Sequence, residues 1–436
     1  MLDRKINDRL LSWKRTKNRQ GLLVTGARQV GKTSSIEQFA REHYRNLIKI
    51  DFVEQPDAVE LITGATDLND LILRVTALAK SPLSDGTLVF FDEVQRCGDA
   101  ITWMRYLASD DRFDVVYSGS MLGVEAYDFR SLPVGTLDIV EMFPLDFEEF
   151  SWAMGVDPLL WETIRACFRE RKAVPSFIHD RLRSLYSLYV LIGGMPDAVQ
   201  TLASTDDTQA MRARQASILA AYRADITRYV QDPLARQRIK RIYDAMPAQL
   251  NKENRRFIVS GIDKKRRFED MQSNFDWLAS AGVAIPVKRV SEALFPLGLS
   301  REDSFFKFYL NDVGLLFSTF SPADVVEIVA KRELINFGQA TENAVAQELR
   351  AQGRTHLYYF HTAKVGEVDF LIEDRRKPIV IPVEVKSGAS SKKHAGLDNL
   401  LGVRNFGIEQ AIVLHMGNVE EDGKVLYLPL YMTGLL

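Results

Sequence analysis

Gly26-Ala27-Arg28-Gln29-Val30-Gly31-Lys32-Thr33 constrains this chain more than any other stretch. An apolar run, Leu22-Leu23-Val24-Thr25, precedes it, and Ser34 to Ala40 follows with the pattern of a helix. A strand, a glycine-rich loop and a helix in this order make a phosphate cradle. The glycines let successive backbone N–H groups point inward, and the helix N-terminus adds its dipole. In that cradle the backbone of Gly26 to Ser34 lies against phosphate oxygens, Lys32 reaches the β- and γ-phosphates, and the Thr33 hydroxyl holds Mg²⁺. The spacing therefore predicts binding of ATP with Mg²⁺.

A second run, Thr87-Leu88-Val89-Phe90-Phe91-Asp92-Glu93, is apolar up to two terminal acids. Continuous apolarity marks a strand covered on both faces of a parallel sheet, and ligands gather at the C-terminal ends of such strands. Beside the phosphate loop, Asp92 is the expected metal-side carboxylate and Glu93 the base that deprotonates an attacking water. A further strand, Asp114 to Tyr117, ends at Ser118-Gly119-Ser120. Ser118 or Ser120 is then a γ-phosphate sensor, or the three residues are a plain turn. Other strands are expected at Asn46 to Phe52 and Thr136 to Glu141, and a helix start at Pro144 to Phe150, where Pro and Asp precede the acidic first turn.

With 436 residues the chain has room for several domains. Its net charge of −2 gives no global attraction for nucleic acid, so any such contact rests on a local patch. Two cysteines, Cys97 and Cys167, make neither a disulfide framework nor a metal motif. No apolar stretch approaches the ~20 residues that cross a bilayer, and Met1-Leu2-Asp3-Arg4-Lys5 lacks a signal-peptide core. The expectation is a cytoplasmic protein with no membrane contact.

These residues resemble the AAA+ ATPases. More narrowly, they resemble a large group of uncharacterised prokaryotic members whose chains end in a domain related to PD-(D/E)xK nucleases. The resemblance rests on residues 26–33, Phe90 to Gln95, Ser118-Gly119-Ser120, Pro144-Leu145 to Glu149-Phe150, Gly193-Gly194-Met195-Pro196 and the C-terminal third. It implies an α/β P-loop AAA+ domain over 1–155, a helical lid over 156–232, a winged-helix-like region over 233–320 and a nuclease-like α/β domain over 321–436. It also raises a homo-oligomer. The group often carries a basic residue where Thr136 stands, however, which leaves an arginine finger unassigned, with Arg105 and Arg130 as weak alternatives.

Gly193-Gly194 reads either as a lid feature or as a helix-capping turn. Two basic clusters, Lys252 to Arg256 and Lys264 to Arg267, precede a helix near Asp270 to Leu278 and a strand at Val283 to Val287. That helix is a recognition helix for DNA or RNA, or the unit is a protein-docking module. The aromatic run Phe305 to Leu316 reads as a strand and turn.

In the last third, Glu367 to Ile372 and Ile379 to Lys386 are strands that can hairpin through Arg375 to Pro378. Glu384 and Lys386, two apart, share a strand face. Asp369 and Glu384 could then share a divalent cation, with Lys386 beside the attacked phosphate and Glu342, in the first turn of a helix, completing the shell. Catalysis of nucleic-acid cleavage by Asp369, Glu384 and Lys386 is one reading. A catalytically silent module in a regulatory ATPase switch is the other.

Overall fold

The computed structural model describes residues 2–16, 20–79, 83–120, 137–250, 257–263, 266–319, 338–388 and 392–436. Gly135, Thr136, Arg130, Lys252 to Arg256, Lys264 and Lys265 lie outside the described residues, as does the side chain of Arg105. The chain divides into two compact units. One is Asp3–Phe143 with Ser280–Gly282, and the other is Met1–Leu2, Pro144–Ala279 and Val283–Leu436.

The first unit is a five-stranded sheet in the order β2-β3-β4-β1-β5, every pair parallel. Its strands are β1 (Gly21–Gly26), β2 (Asn46–Asp51), β3 (Thr87–Asp92), β4 (Asp114–Ser118) and β5 (Leu137–Met142). The helices are α1 (Ile6–Arg15), α2 (Lys32–His43), α3 (Asp57–Thr63), α4 (Leu68–Ala79) and α5 (Gly98–Ala108). β1 and β3 are buried along their whole length because alternate residues feed two cores. Leu22, Val24, Leu88 and Phe90 pack with Ile36 and Phe39 of α2. Leu23, Val89 and Phe91 pack with Met104 and Leu107 of α5 on the other face. Between β2 and β3 the chain forms two helices, α3 and α4, broken around Gly64.

The second unit opens with α6 (Phe147–Ala153), which begins where Pro144 and Asp146 predict it. Asp146 Oδ1 accepts from Glu149 N at 2.9 Å, and Glu149 Oε2 accepts from Asp146 N at 3.2 Å, a reciprocal cap. Then come α7 (Pro158–Glu170), α8 (Ser176–Ile192), α9 (Pro196–Thr205), α10 (Thr208–Tyr229), α11 (Pro233–Leu250) and α12 (Gln272–Ser280). An eight-stranded sheet follows in the order β12-β13-β11-β10-β9-β8-β6-β7. Its strands are β6 (Ala284–Val290), β7 (Arg301–Leu310), β8 (Leu357–Thr362), β9 (Gly366–Glu373), β10 (Val380–Val385), β11 (Ala411–His415), β12 (Glu420–Asp422) and β13 (Val425–Pro429). Helices α13 (Val313–Phe317), α14 (Gly338–Ala351) and α15 (Ala395–Leu401) complete it. No described helix is long and apolar enough to cross a membrane.

Two placements differ from the sequence reading. Residues 156–232, expected as a lid, fall in the same compact unit as the C-terminal sheet. The strand expected as a wing is β6, which pairs antiparallel with β7 and parallel with β8. The β6–β7 hairpin is thus the edge of the C-terminal sheet. Its aromatic residues explain this: Phe306 and Phe308 pack on Phe257 and on Phe275 of α12, an apolar surface that a free wing would leave in water. The β9–β10 hairpin forms as expected, with Val383 opposite Phe370.

Several motifs with no obvious role meet at one point in this unit. Gly193 ends α8 with φ +74°, and Pro196 starts α9, so the glycine pair is a cap. It is also a close approach. Gly194 N donates to Asp312 Oδ2, and Leu145 N donates to Gly194 O at 2.7 Å. Gln347 Nε2 of α14 donates to Tyr189 Oη at 2.9 Å and to Asp312 Oδ2 at 3.3 Å. Burial pushes the Asp312 carboxyl up to about 7 against the pull of these hydrogen bonds. A Cβ at Gly194 would lie 2.0 Å from Leu145 O, and one at Gly314 would lie 2.0 Å from Ile192 O. Gly194→Ala should therefore lower stability by about 3 kcal/mol or more, whereas Gly388→Ala, with nothing within 4 Å, should stay within about 0.5 kcal/mol. Urea unfolding of the two variants checks this.

Candidate nucleotide site and a second carboxylate cluster

β1 leads straight into the phosphate loop. Gly26 has φ +145°, and a Cβ there would fall 2.2 Å from Met142 O of the neighbouring β5, so only glycine fits. Gln29 (φ +65°) and Gly31 (φ +94°) turn the chain into α2, which starts at Lys32. Ala27 and Val30 point into the core, while Arg28, Gln29 and Ser34 are exposed. Lys32 is buried, and its Nζ donates to Gly26 O at 3.0 Å and Ala27 O at 2.8 Å. Burial lowers its pKa to about 8, although Glu93 and Asp92 oppose the shift.

Asp92 gathers the rest. Thr33 Oγ1 donates to Asp92 Oδ2 at 2.8 Å, and Ser118 Oγ donates to Asp92 Oδ1. Of the two sensor alternatives, Ser118 is the one that reaches this carboxylate, from the fully buried end of β4. Glu93 follows in a left-handed conformation, φ +56°, and Gln95 Nε2 donates to its Oε2. That backbone is uncommon for a side-chain-bearing residue and turns Glu93 off the strand axis. Lys49 on β2 was not anticipated. Its ammonium lies 3.1 Å from Glu37, 3.6 Å from Asp51 and 3.7 Å from Asp92. Burial lowers its pKa, but these acids outweigh the effect and the net shift is upward. Its signal was the single cation in Asn46 to Asp51.

The second constellation lies within the C-terminal sheet. Asp369 on β9 accepts from Val385 N at 2.9 Å, and Lys386 Nζ donates to Glu384 Oε1 at 2.7 Å. Burial, then the nearby Asp369, raises the Glu384 carboxyl to about 7, while Lys386 pulls the other way. Glu342, on the first turns of α14, accepts from Tyr309 Oη at 2.7 Å. The predicted residues are thus gathered, but around an unpredicted centre. Lys307 of β7, wholly buried, places Nζ 2.8 Å from Glu367, 3.4 Å from Glu342 and 3.5 Å from Asp369. Three strand spacings would hold β7 roughly 14 Å from β9 in a flat sheet. The long Lys307 side chain reaches across, and α14, which carries Glu342, packs against β6, β7, β8 and β10. Among the described residues, no group of three His, Cys, Asp or Glu side chains is arranged to hold a metal ion. Lys307 lies beside Glu342 and Asp369 of the expected shell, and Lys386 beside Glu384.

Comparison with known proteins agrees with the first site. Residues 18–151 match the family model described as an AAA domain. Residues 183–322 and 337–431 match two models described as domains of unknown function, DUF8612 and DUF4143. No curated protein matches. Among solved structures, the chain is similar to the Aeropyrum pernix ORC1 protein in complex with DNA, at 13% identity and a TM-score of 0.29, covering 77% of this chain and 94% of that one. It is similar to the Saccharomyces cerevisiae Hsp104–ADP complex at 9% identity and a TM-score of 0.30, covering 81% of this chain and 43% of that one. For the Bacteroides Pif1 helicase with ADP-AlF3 and single-stranded DNA, the values are 14% and 0.24, with 44% and 50% covered. TM-scores this low carry no argument. The loop geometry agrees with the match of residues 18–151 to an AAA domain.

Proposed function

We propose that the chain is an Mg²⁺-dependent AAA+ ATPase whose nucleotide cycle serves a C-terminal nuclease-like module acting on nucleic acid. The observation that carries the ATPase half is the Thr33–Asp92–Ser118 hydrogen-bonded set beside the phosphate loop, with Glu93 next in sequence. A hydroxyl and a carboxylate are the hard oxygen donors that Mg²⁺ takes, so Thr33 and Asp92 fit that ion. Bound there with ATP, the ion screens phosphate charge. The backbone of Gly26 to Ser34 receives the phosphates, and Lys32 exchanges its loop carbonyls for β- and γ-oxygens. Ser118 fixes Asp92, and Gln95 aims the Glu93 carboxylate. Glu93 Oε takes the proton of a water as its oxygen bonds the γ-phosphorus and the β–γ bridging oxygen leaves with ADP.

Support for the nucleic-acid half comes from the order of elements after 337: α14 bearing Glu342, then β8, β9 with Asp369, β10 running into Glu384 and Lys386, α15, and β11 parallel to β10. This is the order the PD-(D/E)xK resemblance implies. Arg266 and Arg267, exposed just before α12, offer phosphate contacts. A second reading, a regulatory switch with a catalytically silent last module, is favoured by the position of Lys307 among the carboxylates. DNA or RNA binding should weaken steeply with salt in fluorescence anisotropy, and Glu384→Ala is the control for metal-dependent cleavage assays on both. Association into a homo-oligomer should appear as a mass increase when Glu93→Gln protein holds ATP.

Lys32→Ala should abolish ATP binding measured by calorimetry. Glu93→Gln should retain ATP and lose turnover by about 100-fold or more; unchanged hydrolysis in that variant would remove Glu93 as the base. Ser118→Ala should keep ATP and slow hydrolysis by about tenfold or more, and a steady-state phosphate-release assay reads the difference.

A further inference from the structure

Among the described residues, four acids, Glu342, Glu367, Asp369 and Glu384, and two lysines meet in the C-terminal cluster. Lys386 pairs with Glu384 at 2.7 Å. Lys307 belongs to the other three. Three carboxylates lie within reach of its N–H donors, and a Tyr359 ring lies 5.2 Å away. The carboxylates are in turn aimed by the protein itself: Glu342 by the Tyr309 hydroxyl and Asp369 by the Val385 N–H. Glu384 Oε2 is buried and has no hydrogen-bond partner among the described residues.

A divalent ion bridging Glu342 and Asp369 needs oxygens about 2.1 Å away. The ammonium already sits 3.4 and 3.5 Å from those same groups. Two cations cannot share so small a buried space without strong repulsion. We infer that Lys307 is the resident cation of this cluster, a covalent substitute for the divalent ion, and that it keeps the ion out of the native protein. The inference rests on reading Asp369, Glu384 and Lys386 as a nuclease-like site, and it makes that site silent towards metal-dependent cleavage while Lys307 stays in place. Removing the ammonium while keeping the apolar stem should convert the cluster to a metal site, with Glu342, Asp369 and the spare Glu384 oxygen as ligands.

The test is Mn²⁺ binding by the full chain, followed by electron paramagnetic resonance of free Mn²⁺ and by the shift in melting temperature. Asp369→Asn protein serves as the blank for the nucleotide site. Wild type and Asp369→Asn should bind Mn²⁺ alike. Lys307→Met should gain one additional site, at least about tenfold tighter than any Asp369-dependent binding in wild type, and lose it again in Lys307→Met/Asp369→Asn. Lys307→Gln should behave in the same way. Wild type that already binds Mn²⁺ through Asp369, with no gain in Lys307→Met, overturns the inference and leaves the metal-site reading standing. Folded variants that bind no more than the blank, in a wild type that also binds none, overturn both. Failure of both variants to fold with and without Mn²⁺ means that no metal replaces the ammonium, and the inference falls. Folding that depends on Mn²⁺ supports it.

Discussion

The second unit depends on one helix that carries polar side chains where a buried helix ordinarily carries aliphatic ones. Thr341, Glu342, Asn343, Gln347 and Glu348 of α14 are all buried. A buried polar group without a partner costs roughly 1–3 kcal/mol, and Glu342, Asn343, Gln347 and Glu348 are each held by a fixed atom elsewhere. Asn343 forms a two-way bond with the backbone of Leu310, at 3.0 and 2.8 Å. Gln347 Oε1 accepts from Val313 N at 2.9 Å, and Glu348 Oε1 accepts from Phe147 N at 2.7 Å. The helix thereby sets the position of β7, α13 and α6 together. Glu342, one residue before Asn343, is placed at the carboxylate cluster by the same register. Sliding α14 by one residue would break all of these bonds at once.

That arrangement accounts for motifs that looked unrelated in sequence. Pro144-Leu145 and Asp312-Val313-Gly314 lie far apart in the chain and converge within hydrogen-bonding distance of Gln347, and Gly193-Gly194 joins them through Leu145 and Asp312. The glycines are required because carbonyl and carboxylate oxygens occupy the space of a Cβ. Asp312 is retained as an acid in a site that penalises its charge because it accepts from the Gly194 backbone and from Gln347. A neutral apolar residue there would orphan those donors.

Legibility from sequence followed the range of the interactions. The phosphate loop, Asp92 and Glu93 were readable because each acts through local backbone, a strand end or a loop, whose chemistry is set by a few adjacent residues. The parallel sheet followed from the apolar runs. Less legible was anything decided by partners far along the chain. Residues 283–287 read as a strand, but whether it was a wing or a sheet edge depended on β8, some seventy residues later. Likewise Ser118 became distinguishable from Ser120 only once β3 and β4 were side by side.

Lys307 shows the same limit at the level of chemistry. Asp369, Glu384 and Lys386 are the residues of the pattern read from the sequence, and they meet at one place in the sheet. A pattern of ligands says what a site can hold, and the occupant is set by the total charge of everything that points inward. Here a cation arrives from β7, separated in sequence from the acids it neutralises. Its local signature, one lysine between Phe306 and Phe308 in a run that is otherwise apolar, was visible. A lone cation in a buried strand demands compensating acids, and the only question left open by the sequence was which ones. Those acids include Glu342 and Asp369, two of the three carboxylates of the expected metal shell.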